Sequence, residues 1–399
     1  MNRLSTEKLK DIVGRLPTPR DEDWKYTDLK SARDISTRWL AAGSAAALLD
    51  LDAEIQRITS SIDAHWFVVA NGTLQRLTQT DDVVAERIDG PPATDSALAE
   101  LNAALLQDGL RIRINGKPAK PVGVLVIDGA ADASVSQAYV EIELAAGAAG
   151  EIVEYQASQG EAELYANSAV TLLVGDTASV NYVRLQNRAP GHVQTGRLAV
   201  TMGRDSQLRM ASYDLGGGLI RNDVVIDLSQ PGADVAFDGL YLAGEGQHID
   251  NHTRVDHRVG PATSTQEYRG ILNGRCRCVW NGKAVVHEGA DGTDASQANH
   301  NLLLSEKAEI DAKPELEIYA EDVKCSHGTT VGQLDESSIF YLRTRGIDEE
   351  HAQQMLTFAF AADIVARAPV DAARATVSAC VEKRLAELIA ADFIPDMPK

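Results

Sequence analysis

The chain has 399 residues, enough for two or three domains or one elongated one, and for a substantial core. Lys and Arg number 38 against 58 Asp and Glu, a formal net charge of −20, which argues against nucleic-acid binding because phosphate contacts need cations. Its four cysteines are too few and too scattered for a secreted disulfide framework. MNRLSTEKLK lacks the apolar centre of a signal peptide, and no apolar run approaches the roughly 18 residues of a membrane span. The expectation is a cytoplasmic protein with no membrane or nucleic-acid partner.

Residues 1–61 read as a polar-faced helical segment. Leu4, Leu9, Ile12 and Val13 suit one helix, which Pro17-Thr18-Pro19 stops. AAGSAAALLDLDAEIQRI offers a second, with Leu48, Leu49 and Leu51 on its apolar side. Between them, Trp24 and Tyr26 are expected to pin this arm to the main body, as large aromatic surfaces do wherever a groove accepts them.

From 62 to 335 the pattern changes to short alternating runs broken by Gly, Asn and Asp: HWFVVANGTLQRL, KPVGVLVIDG, QAYVEIELAAGAAGEIVEYQA and others. Glycines end runs at 147, 175 and 203, two steps of 28, and a further step reaches Pro231-Gly232-Ala233. Ile152, Val180 and Leu208 keep the same spacing behind the turns. A strand-only repeat of this length predicts a mainly β fold, a parallel β-helix-like solenoid whose coils bury their apolar faces on one another. An immunoglobulin-like sandwich would not hold a constant period. In QEYRGILNG, CRCVWNGKAVVHEG and NHNLLLSEKAEI the period loosens.

Residues 313–335, KPELEIYAEDVKCSHGTTVGQLD, form the most distinctive stretch. Leu316, Ile318 and Ala320 alternate with Glu315, Glu317, Tyr319 and Glu321, a strand with one dry face. Beyond a bend at Glu321-Asp322, Cys325 and His327 fall at i, i+2, on one face of a resumed strand and about 7 Å apart. A thiol and an imidazole on one rigid edge suit iron or zinc. The competing reading is an inward cysteine filling space beside a hydrogen-bonded histidine.

Residues 336–399 read as helical. Ile339, Phe340, Leu342 and Arg343 precede Gly346, a C-terminal stop. Asp348-Glu349-Glu350 opens a second helix that runs toward Pro369, and a third from Asp371 holds Val377, Val381, Leu385 and Leu388. Phe358 and Phe360 lie 200° apart on a helix, so one of them is expected to face a partner's groove rather than the core.

Other cysteines and histidines read as structural. Cys276 and Cys278 form a lone C-x-C pair with Arg275 and Arg277 alternating outward, short of the four ligands a structural metal site needs. Cys380, among Ala and Val, reads as core. His252, His257, His287 and His300 show no helical ligand spacing, and Asn299-His300-Asn301 suits coil-to-coil hydrogen bonding. There is no GxxxxGK[ST] and no strand–GxGxxG–helix unit, so no nucleotide site is expected on this chain.

The stretch 313–335, preceded by TDASQANHNLLLSEKAEIDA and followed by IFYLRTRGI, closely resembles the SufB/SufD family of iron–sulfur cluster assembly proteins. Trp24-Lys25-Tyr26-Thr27 resembles its SufD branch, and the absence of the sulfur-accepting cysteine usual in SufB agrees. The motif-bearing likeness runs from about 251 to 363, with a weaker patch at 17–30. The resemblance implies a scaffold rather than an enzyme, paired with SufB through its last strands or self-paired when alone. Its C-terminal helices would dock the ABC-type ATPase SufC, with Phe340, Tyr341, Arg343, Arg345, Phe358 and Phe360 as contact residues. It further implies a transient iron–sulfur cluster at the SufB seam held by His327, with Cys325 the weaker candidate, and it leaves a reduced flavin in the complex open. The rivals are a self-contained homomeric solenoid whose helices only cap the coils, and a β-helix polysaccharide enzyme, which dispersed acids and the absent signal sequence disfavour. The implied division is 1–61, 62–335 and 336–399.

Overall fold

The computed structural model describes residues 5–44, 46–90 and 96–390. Its body is a two-sheet parallel solenoid. One sheet has ten strands and the other nine, and from Gly109 onward successive strands alternate between them. Strands at 65–70 and 109–114 already belong to these sheets, so the stretch after residue 62 joins the solenoid from its start. Only the first strands, Thr73–Arg76 and Val83–Ile88, pair antiparallel.

The coil step varies while the strands stay in register. On the nine-stranded sheet Tyr165, Val193, Leu219, His248, Arg277 and Glu309 stand side by side, steps of 28, 26, 29, 29 and 32. The loosening lies in the returns, which tolerate length change because loop closure costs little per added residue. The expected step of 28 holds from Gly175 to Gly203 and from Val180 to Leu208 but not from the coil before them. Gly147 does not stack on Gly175 but shares a left-handed turn position with Thr177, Asp205 and Gly232, at φ 72°, 57°, 52° and 80°. The Gly147 N–H donates to Asp176 O (2.8 Å), Thr177 N–H to Arg204 O (2.7 Å) and Asp205 N–H to Pro231 O (3.0 Å), a ladder of turns. Likewise Ile152 neighbours Tyr182, not Val180. Gly232 is the tightest point of this ladder, since a Cβ there would lie 1.9 Å from Asp205 Oδ1.

Inward positions next to this turn are apolar: Leu144, Val174, Met202 and Leu228 on one sheet, Val180, Leu208 and Val235 on the other. Cys276 and Cys278 are buried in this core, in line with the packing expectation.

Helices cover both outer faces. On one lie α1 (Thr6–Gly14), α2 (Lys30–Ala41) and α4 (Ala97–Leu105), with α3 (Asp52–Ser61) on the other. Three C-terminal helices follow, α5 (Glu336–Thr344), α6 (Glu349–Ala366) and α7 (Asp371–Ala390), with Gly346 at φ 87° ending the first as expected. Val377, Val381, Leu385 and Leu388 of α7 bury against Val153, Val183, Leu240 and Ile271 of the ten-stranded sheet. Cys380 packs at the margin of that core, its Sγ 3.8 Å from Tyr155 Oη.

The helix expected over 41–58 begins only at Asp52. Gly43 (φ 82°) and Ser44 (φ 58°) break it, Leu49 N–H donates to Gly129 O (3.1 Å), and Leu48 bridges to Ala130 as an exposed extended residue. Leu4, placed on the first helix by its pattern, and Ala45 lie outside the described residues.

Candidate functional site

The C-terminal end of the solenoid is open. Its last strands, Glu309–Ile318 and Lys324–Gly332, are the edge strands of their two sheets. Ladder register fixes which side chains face the lumen. Ile152, Tyr182, Met210, Phe237, Gln266, Gln297 and His327 form one file, and Val180, Leu208, Val235, Ser264, Ala295 and Cys325 another. In earlier coils these positions are buried core. At the end of the stack nothing lies above them, so His327 is exposed and Cys325 half-buried. Burial pushes the Cys325 thiol upward, while the Ala295 backbone N–H works against that shift.

The opposite sheet contributes Leu316 and Ile318 to the same end, beneath which stand Ala284 and Val286. The dry face expected there is only half covered, with Ile318 43 % exposed; Tyr319 (63 %) on its outer side and Val331 (51 %) on the last strand are bare. Two strand edges and a half-wetted apolar floor leave this end of the stack open.

Among the described residues no group of three or more His, Cys, Asp and Glu is placed to hold a metal ion. His327 and Cys325 therefore belong to no such group. The four histidines read as structural are engaged elsewhere. His252 Nε2 lies 3.2 Å from Asp250, His287 Nε2 2.8 Å from Asp256, His257 Nε2 2.8 Å from Ser264 Oγ, and His300 Nδ1 2.9 Å from Thr330 Oγ1. Asn301 Nδ2 donates to Asn299 Oδ1 within the strand (2.6 Å), while its bond to Thr330 O (3.3 Å) and those of Asn299 Nδ2 to Tyr268 O (3.3 Å) and Tyr241 Oη (3.2 Å) are the coil-to-coil bonding expected of this stretch.

Only three residues separate the strand bearing His327 from α5, whose first turn Asp335 caps through Ser338 N–H (3.0 Å). Helix α5 buries none of its residues, leaving Phe340 69 % and Tyr341 57 % exposed. Arg345 stacks over the Tyr341 ring at 5.2 Å, and Arg343 pairs with Glu349 at 3.0 Å. A groove of about 650 Å³ runs between α6 and α7, lined by Met355, Phe358, Ala362, Val365 and Val381. Here both phenylalanines touch the core, and Phe358 also lines the groove. Phe358 and Phe360 are both half-buried and both pack against the same core, because α6 is wedged between the sheet and α7 and has apolar neighbours on two sides. Arg269 covers the Phe360 ring at 5.4 Å.

On the other outer face, residues 21–28 form the expected anchor. The Arg221 guanidinium stacks on Trp24 at 4.3 Å and its Nη1 donates to Asp23 O (3.0 Å). Arg277 lies 5.6 Å from the centre of the Tyr26 ring. Thr27 Oγ1 sits 2.7 Å from His248 Nε2 and donates to Asp250. Pattern reading gave Trp24 and Tyr26 but not their cationic partners, which lie two hundred residues away.

Residues 126–360 match the model of the SUF system FeS cluster assembly, SufBD core domain. The chain is 30% identical over 384 residues to the iron-sulfur cluster assembly protein SufD of Escherichia coli K12, covering 93% of this chain and 89% of that protein. It is 27% identical over 421 residues to a SufBD family assembly protein of Synechocystis, covering 94% and 89%. It is 25% identical over 307 residues to SufD of Bacillus subtilis, covering 74% and 69%. With an open-ended parallel solenoid, a matched core and a near full-length relative, the chain belongs to the SufB/SufD family of iron–sulfur cluster assembly proteins, on its SufD branch.

Proposed function

We propose that this chain is the SufD-like scaffold of a three-component iron–sulfur assembly complex. Its last two strands pair with SufB, α5 and α6 dock SufC, and His327 holds the nascent cluster together with ligands from SufB. One observation carries this reading: His327 occupies a core-facing position at an uncovered sheet end, where the chain's own ligands are too few for a metal. A partner coil stacking on those edges would satisfy the strand backbones and bring the remaining ligands to the same lumen.

The cluster is cargo rather than a resident group. To bind iron, the imidazole offers a nitrogen lone pair and gives up or shares the proton there. Cys325, on the neighbouring file of inward positions, is the second donor the chain can present. Exposed Phe340 and Tyr341 supply the apolar anchors that a docking surface needs. ATP-driven pairing of two SufC subunits would then move SufD and SufB relative to one another and open the seam, a rigid-body change biased by nucleotide. The chain itself acts as a scaffold, not a catalyst, and the complex operates in the cytoplasm. No helix among the described residues is long and apolar enough to cross a membrane.

The test is co-expression with SufB and SufC. His327→Ala is expected to leave the complex intact and abolish cluster assembly. Undiminished assembly in an intact complex would remove His327 from the function.

A further inference from the structure

The solenoid lumen is not apolar throughout. Away from the turn-side core it carries carboxylates and guanidiniums sealed from solvent: Asp128, Glu154, Arg184, Arg188 and Asp214. They lie on inward files, with Glu154 beside Arg184, Arg184 beside Ser212, and Gln186 beside Asp214. A buried charge is tolerable only when its hydrogen-bonding atoms are answered, and a guanidinium has five N–H donors to satisfy.

The protein answers only some of them. Arg188 donates through Nη1 to Asp128 Oδ2 (2.8 Å) and Ala157 O (3.2 Å), and through Nε to Gln194 Oε1. Its Nη2 and the second oxygen of Asp128 have no protein partner. Arg184 donates through Nη2 to Ser212 Oγ (3.2 Å), but the same nitrogen stands 4.0 Å from Asp214 Oδ1. Arg184 Nε and Asp214 Oδ2 are without partners.

Two features identify the ligand class. The unmet atoms are of both kinds, donors on Arg184 and Arg188 and acceptors on Asp128 and Asp214. An anion would answer only the donors and a metal ion only the acceptors, whereas water answers both. A 4.0 Å gap between two sealed charges is also too long for a direct hydrogen bond, the situation in which a bridging water is expected. The facing sheet reaches in here through Gln194 and Asn222, with Gly196 beside them. Gly196 carries no side chain, and a Cβ at that position would come within 3.0 Å of Asn222 Oδ1, whose amide donates to Asp214 (3.0 Å).

We propose that the solenoid interior holds ordered water at two places, one beside Arg184 and Asp214 and one beside Arg188 and Asp128, where it answers the donors and acceptors the protein leaves unmet. A crystal structure of the full chain that orders internal solvent tests it. Expected is density within hydrogen-bond reach of both Arg184 Nε and Asp214 Oδ2. Arg184 and Asp214 found in direct contact, with no density between or beside them, would overturn the proposal. Water magnetic relaxation dispersion on the full chain gives a second reading. The signal of long-lived internal water should fall in Arg184→Met/Asp214→Leu relative to wild type, and an unchanged signal in that folded variant counts against the site. If the variant does not fold, the wild-type density decides.

Discussion

At the scale of single residues, buried charges dominate. Arg188 and Asp128 are fully sealed, so removing one partner strands the other in a low-dielectric interior. Arg188→Met is predicted to cost about 3–5 kcal/mol of folding stability, read from urea unfolding, and a loss near zero would contradict the assignment. Asp250 gives a pH test. Burial alone would raise its carboxyl, but the Arg221 guanidinium, aided by His252 and Thr27, outweighs that and holds it well below the usual range. A depressed carboxyl stabilises the fold above the unfolded value of about 4 and loses that contribution as pH falls through the folded value. The urea midpoint of wild type should therefore drop below about pH 4 more steeply than that of Asp250→Asn. Parallel curves for the two proteins would show that Asp250 is not held by this anchor.

At the scale of elements, the C-terminal helices are clamped to the solenoid by charge as well as by packing. Arg269 donates to Phe360 O (2.8 Å) and Asp363 (2.6 Å), and Arg367 reaches Glu267 at 2.8 Å and Asp238 at 3.5 Å. Asp238 is pushed up to about 6, chiefly by burial, with Arg367 opposing. A raised carboxyl favours the folded state while protonated and disfavours it as pH rises through about 4 to 6. Asp238→Asn is thus predicted to gain thermal stability relative to wild type at pH 7.5 more than at pH 5. An equal difference at both pH values would rule that out. Arg269→Ala should loosen α6, raising proteolytic cleavage within 345–370 while the solenoid stays intact, and unaltered cleavage would show the clamp to be dispensable.

The solenoid and α5–α7 were legible in sequence because strand alternation, Gly346 and the Asp348 cap are local signals. Three things were not. The return lengths disguised the step, so Gly147 looked stacked on Gly175, whereas Gly175 stands beside Gly203 and the left-handed turn slot of Gly147 passes to Thr177 and Asp205. Helix α2 escaped because its apolar residues, Ala32, Ile35 and Leu40, are few among charges. The polar lumen escaped because Glu154, Arg184 and Asp214 look like outward residues until register shows which face they occupy. At the site, the CSHG motif marked His327, but only the stacking order makes that position an uncovered end of the core.

At the scale of the molecule, an elongated stack with one bare end and a helical flank projects two surfaces, one of strand edges and one of exposed aromatics, joined by the three residues before Glu336. A solenoid that stopped here for its own sake would need a polar cap over its last coil. Ile318, Tyr319 and Val331 instead remain uncovered. The direct measurement is amide hydrogen exchange over 309–332, on the chain alone and bound to SufB. The seam predicts fast exchange in the outward amides of both edge strands when free and strong protection on binding. Protection appearing elsewhere, with 309–332 exchanging alike in both states, would contradict it.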